Sequence, residues 1–246
     1  MIDGIENMNA WQQFFVFMES TKINPPTIMR EGSDNTIDMN IIRSGFASAK
    51  IFEIEDDVKK MLLLTDIPKE KYPFKEYNMP FNEIFINTKI TKADKLDISK
   101  DMNEISGILV IHGIDSRQPD KDVDFLAVYY LTQRGDYIKG ETYINKCSFV
   151  TNVHHKDVTK STDMQTMAVD SEEYTTLKTF VFNFLLLLNQ PDTRQIEIIK
   201  SEKNIARKIK RGKMIMPSYI KINLEGTLKR YVRNFQKQTI NKLDYM

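Results

Sequence analysis

Cysteine is nearly absent. Cys147 is the single one in 246 residues, so no intramolecular disulfide can form and no cysteine cluster can hold zinc. That scarcity points to a reducing compartment, and a cytoplasmic chain is expected. Histidine is almost as scarce: His112 lies inside an apolar run, while His154 and His155 are neighbours in a polar stretch. A lone histidine in an apolar strand reads first as a hydrogen-bonded structural residue, and two adjacent loop histidines point apart and chelate poorly. Cys147 could pair with either of them as a Cys-His nucleophile, yet its expected strand carries no helix N-terminus or fixed basic neighbour to favour the thiolate.

Other absences narrow the classes further. Arg211-Gly212-Lys213 lacks the glycine spacing of a phosphate-binding loop, and neither a dinucleotide fingerprint nor a nucleophile elbow occurs. The longest apolar run, Phe180 to Leu188, contains Asn183. It is about half the ~20 residues that a membrane-spanning helix needs. Residues 1–9 carry Asp3 and Glu6 where a secretory signal would need a basic start and an apolar run. No catalytic residue, metal, cofactor or membrane partner is therefore expected, and the sequence does not specify an oligomeric state.

What the chain does have is enough apolar material to fold. Hydrophobic residues at 41% and charged residues at 28% fit a globular chain and argue against general disorder. No linker composition divides it, so residues 1–246 are read as a single domain. Trp11, Phe14, Phe15 and Met18 fall at i, i+3, i+4, i+7 and predict a first helix. Turn formers then collect over residues 21–37. Ile51, Ile54, Val58, Met61 and Leu62 again have helical spacing and predict a helix from 47 or 55 to 65, with Glu53, Glu55, Asp56 and Asp57 as its solvated face and first turn.

Four runs follow that are rich in β-branched, aromatic and aliphatic residues, namely 80–88, 107–114, 124–132 and 137–149. Consecutive strands without intervening helices predict an antiparallel sheet. After a polar stretch at 150–170, Glu172 and Glu173 fit the first turn of a long helix carrying Leu177, Phe180, Val181, Phe184, Leu185 and Leu188. A short strand at 195–199, an alternating strand at 219–224 and a last amphipathic helix with Leu228, Tyr231, Val232 and Phe235 complete the reading. The expected architecture is α+β: an antiparallel sheet packed by the long hydrophobic helix, with flanking helices at both ends.

One feature rises above this background. Residues 200–237 hold twelve lysines and arginines against Glu202 and Glu225, a local balance of +10 in a chain whose total is +1, which leaves about −9 on residues 1–199. In a helical reading Lys200, Lys203, Arg207 and Lys210 or Arg211 share a face, and Lys213 follows in the same basic run. Lys229, Arg230, Arg233 and Lys237 lie off the apolar stripe of the last helix. Such a surface can neutralise several phosphates and release counterions, which makes nucleic acid or a ribonucleoprotein the natural partner. An acidic protein surface would suit it too, and so would plain solvation or docking onto the acidic remainder of the chain. No helix-turn-helix, zinc-finger or aromatic RNA-binding motif supports base-specific readout.

A metal-dependent nuclease is the rival reading. Pro191-Asp192 stands ahead of Glu197 and Lys200, but the acid-x-Lys spacing is missing, because Ile198 and Ile199 separate Glu197 from Lys200.

Some strings also look familiar. Thr65-Asp66-Ile67-Pro68 precedes Met79-Pro80-Phe81-Asn82-Glu83-Ile84-Phe85-Ile86. A leucine-rich helix ending at Leu188-Asn189 then precedes Ser201-Glu202-Lys203-Asn204, Arg207, Arg211-Gly212-Lys213 and Pro217-Ser218-Tyr219. Over about a third of the chain, this order resembles phage and mobile-element proteins of mostly unassigned role, among them a type V anti-CRISPR protein thought to act by depleting the messenger RNA of the CRISPR effector nuclease. The resemblance implies a binding factor for a nascent polypeptide or ribonucleoprotein, with no active site to transfer.

Overall fold

The structure is a computed structural model that describes residues 8–23, 39–65, 79–91, 94, 102–115, 123–134, 141–153, 172–190, 193–199, 214 and 216–224. In chain order its elements are α1 (Ala10–Ile23), α2 (Met39–Ser48), β1 (Lys50–Ile54), α3 (Asp56–Leu64), β2 (Glu83–Thr91), β3 (Met102–Asp115), β4 (Val123–Arg134), β5 (Glu141–Val153), α4 (Glu172–Leu188), β6 (Thr193–Ile198) and β7 (Tyr219–Leu224). The last helix expected from sequence, around Leu228 to Phe235, lies outside the described residues, as does most of the polar stretch before α4.

The described strands form one α+β sheet in the order β5-β4-β3-β2-β1-β7-β6. The expectation of an antiparallel sheet is corrected at its centre. The sheet is mixed, because β1 runs parallel to β2, with Phe52 beside Ile86, and parallel to β7, with Phe52 beside Ile220. The pairs β2–β3, β3–β4, β4–β5 and β6–β7 are antiparallel.

Beta-strand side chains alternate between faces, and the core divides accordingly. On one face Phe52, Ile54, Ile84, Ile86, Ile108, Val110, Val128, Ile220 and Ile222 form a cluster with Val58 and Leu62 of α3 and with α4. The other face carries Ile51, Phe85, Leu109, Ala127 and Tyr129 against Trp11, Phe14 and Met18 of α1, Ile42 of α2, and Met216.

Of the two starts expected for the helix ending near 65, the one at 55 agrees with α3 at Asp56–Leu64, and the one at 47 is corrected, because β1 occupies 50–54. Because β1 is central, Ile51 and Phe52 are buried on opposite faces of the sheet, so its apolar residues do not alternate with polar ones. Its Ile51 and Ile54 then continue by chance into the helical spacing of Val58, Met61 and Leu62. Glu53 accordingly sits on a strand and Glu55 at the N-cap position of α3, while Asp56 and Asp57 do occupy its first turn.

Local chemistry fixes the helix ends. Asn9 and Gln12 form a reciprocal capping box: the Gln12 amide donates to Asn9 Oδ1 at 2.9 Å and the Asn9 amide donates to Gln12 Oε1 at 3.0 Å. The Trp11 amide, another orphan donor of that first turn, reaches Asn87 Oδ1 of β2 at 2.9 Å. At the far end of α3, Asn183 of α4 donates from Nδ2 to the carbonyls of Leu62 and Thr65, both at 2.8 Å. Of residues 180–188 in α4, Leu186 alone is not buried, so packing rather than intrinsic propensity holds this helix. Its Phe184 ring meets Phe52 edge-on at 5.5 Å.

Two glycines set close approaches. Gly107 has φ +66° at a register shift in β3, and a Cβ there would lie 2.5 Å from Phe85 Cζ. Gly45 lets α2 settle on the sheet, since a Cβ there would meet Ile111 Cδ1 at 2.5 Å.

Candidate nucleic-acid interface

The basic run begins where the sheet ends. β6 is the outermost strand and pairs antiparallel with β7, from Thr193 beside Leu224 to Ile198 beside Tyr219. The chain from 199 to 218 therefore joins two neighbouring strands, and the basic cluster of 200–213 belongs to that connection. Lys200, Lys203, Arg207, Lys210, Arg211 and Lys213 lie outside the described residues, and so do Lys229, Arg230 and Arg233. What the structure describes is the root from which the run departs and to which it returns.

On the departing side, Ile199 follows β6 with 76% of its surface exposed. Across β7, Glu197 of β6 accepts a hydrogen bond from Lys50 Nζ of β1 at 2.8 Å, both side chains being partly exposed. On the returning side, the Met214 carbonyl accepts a hydrogen bond from Gln12 Nε2 at 3.0 Å, and Met216 is buried beside α1. Both return residues lie against the sheet face covered by α1 and α2.

Within β7, Lys221 is ion-paired to the N-cap residue of α3. Lys221 Nζ stands 3.0 Å from Glu55 Oε1, and this hydrogen bond, followed by the carboxylate's charge, holds the ammonium above its ordinary range. Tyr219 is also pushed up from its ordinary value of 10.0, first by burial and then by the charge of Glu53 and the hydrogen bond its hydroxyl gives that carboxylate. Of the twelve cations in 200–237, Lys221 is the one the structure describes, and it is engaged by the fold. It contributes to the +10 count but is not among the expected contacts; near the root, Lys50 and Lys221 are matched by Glu197 and Glu55.

For the nuclease reading, Glu197 is salt-bridged on an edge strand, whereas Asp192 and Lys200 lie outside the described residues. Among the described residues no group of three or more His, Cys, Asp or Glu is placed to hold a metal ion. His112 sits in β3 beside Leu126, with its backbone amide donating to the Asn82 carbonyl at 2.8 Å, and Cys147 sits in β5 beside Val128. His154 and His155 lie outside the described residues. Among those residues, no helix is long and apolar enough to cross a membrane.

Sequence reasoning found the β7 alternation and the charge excess but missed the Gln12–Met214 bond. Asn9-x-x-Gln12 is legible as a capping box, whereas a partner 202 residues away leaves no local pattern. No family model, curated protein or solved structure matches the chain.

Proposed function

We propose that this chain is a non-enzymatic accessory protein that binds nucleic acid or a ribonucleoprotein through the basic residues of its C-terminal part. Lys200, Lys203, Arg207, Lys210, Arg211 and Lys213 are the principal contacts, and Lys229, Arg230 and Arg233 extend them. The observation that carries this reading is the concentration of +10 within residues 200–237 of a chain of total charge +1. Its first block falls within a connection whose two ends are tied to a folded sheet, which limits the entropy lost when its side chains engage phosphates. Likeness of motif order to phage and mobile-element proteins, including a type V anti-CRISPR protein, supports a ribonucleoprotein target and an origin of that kind.

The reading is tested by reversing Lys203, Arg207, Lys210 and Arg211 to Glu. Retention on heparin and binding to a labelled single-stranded RNA should be lost, and the salt dependence of binding should flatten by about one unit of log–log slope per contact removed. The melting temperature should stay where it was. Unchanged retention in a folded variant removes the basis for the proposal.

A further inference from the structure

The return of the basic run is fixed by a side chain from the opposite end of the sequence. Gln12 occupies the third position of α1 and uses both ends of its amide: Oε1 accepts from the Asn9 amide, and Nε2 donates to the Met214 carbonyl at 3.0 Å. Met214 directly follows Lys213, and two residues later Met216 is buried 6% exposed among Trp11, Ile51 and their neighbours. Alpha1 is itself locked to the sheet through the bond from the Trp11 amide to Asn87 and by the edge-on contact of Phe14 with Phe85.

We propose that Gln12 is a positioning residue for the basic segment: it fixes the point at which the chain leaves Lys213 and rejoins the core. The inference rests on the nucleic-acid reading for its functional meaning. The tether itself is a statement about the fold, measurable without any ligand. Its chemistry also makes Trp11 a natural reporter, because the chain's single tryptophan shares its cluster with Met216. A pull on the returning strand is transmitted to the indole's surroundings.

Gln12→Glu separates the two roles of this residue. A glutamate at that position still accepts from the Asn9 amide and is favoured at a helix N-terminus, so the cap survives. It has no hydrogen to give Met214 and sets a negative charge against that carbonyl. Gln12→Met is the uncharged companion. It loses the cap bond as well and serves for binding measurements in which an added charge would confuse the result.

The experiment is limited trypsin digestion of the full chain, with mass spectrometry reading cleavage after Lys210, Arg211 and Lys213. Gln12→Glu should raise that rate by roughly three- to tenfold, the range expected from losing one neutral hydrogen bond, with the melting temperature lowered by no more than about 6 °C. An unchanged rate at these bonds, in a variant that melts like the parent, overturns the tether.

A second arm measures RNA affinity of Gln12→Met. Affinity should fall about threefold or more, with a shift in Trp11 emission on binding that differs from the parent. If the parent binds no RNA at all, the nucleic-acid reading fails while the proteolysis result still decides the tether.

Discussion

Replacing Asn183 with alanine should cost the fold more than any other exchange of a single polar residue among those described. Asn183 is 5% exposed, sits in an apolar helix, and donates both Nδ2 hydrogens to the C-terminal end of α3. Removing the side chain deletes two hydrogen bonds, each worth about 0.5–1.5 kcal/mol net, and leaves two carbonyls to find other partners. Thr65 is exposed, so its carbonyl can rehydrate at little cost, whereas Leu62 is buried and its carbonyl is left dry at about 1–3 kcal/mol. Together with the small cavity, the expected loss is about 3–4 kcal/mol. At roughly 2–4 °C per kcal/mol for a chain of this size, that is a fall in melting temperature of about 6–16 °C. Urea denaturation followed by far-ultraviolet circular dichroism is the assay, read at constant m so that only stability changes. A loss below about 0.5 kcal/mol would mean that these carbonyls were never dependent on Asn183, and the account of how α3 ends would fail.

Two further substitutions test other parts of the structure. Gly107→Ala should destabilise by about 2–5 kcal/mol, because an alanine at positive φ costs about 1–2 and its methyl meets the immobile ring of Phe85. Denaturation curves indistinguishable from the parent's would show that Gly107 does not hold a positive φ against Phe85. At alkaline pH, Tyr219 and Lys221 bind their protons more tightly folded than unfolded, so the stabilisation they confer is intact below their ordinary values of 10.0 and 10.5 and is lost as pH rises past them. Absorbance titration at the phenolate band, compared between the parent and Glu53→Gln, should show one tyrosine ionising at lower pH in the variant. No change in that variant would remove Glu53 as a cause.

Much of the architecture was legible because it depends on local pattern. The Trp11, Phe14, Met18 stripe, the runs leading to β2, β3 and β4, and the alternation of Ile220 with Lys221 and Ile222 each mark an element whose burial is one-sided or continuous. Two elements escaped. Beta1 is a five-residue strand buried on both faces, where periodicity carries no information. Alpha2 joins the core through Ile42, Gly45 and Phe46, and the close approach of Gly45 to Ile111 of β3 has no local signature in the sequence. The mixed strand directions were hidden for another reason: parallel pairing depends on which distant segments meet, and no residue of β1 announces β7. Charge was readable as a total but not as a surface, since Lys221, counted with the basic cluster, is matched by Glu55.

Parallel pairing of β1 with β7 also governs how this chain can be made. Phe52 aligns with Ile220, so one edge of the central strand finds its neighbour only after nearly all intervening residues have left the ribosome. Until then, β1 offers a row of unsatisfied amides and carbonyls to any passing extended segment, its own or a stranger's. Contacts this remote in sequence close slowly, because the long loop must be gathered before pairing repays it. A synthesis stalled before residue 219 would leave a nascent chain with its middle unsealed, and such truncations should recruit chaperones or aggregate where the completed protein does not.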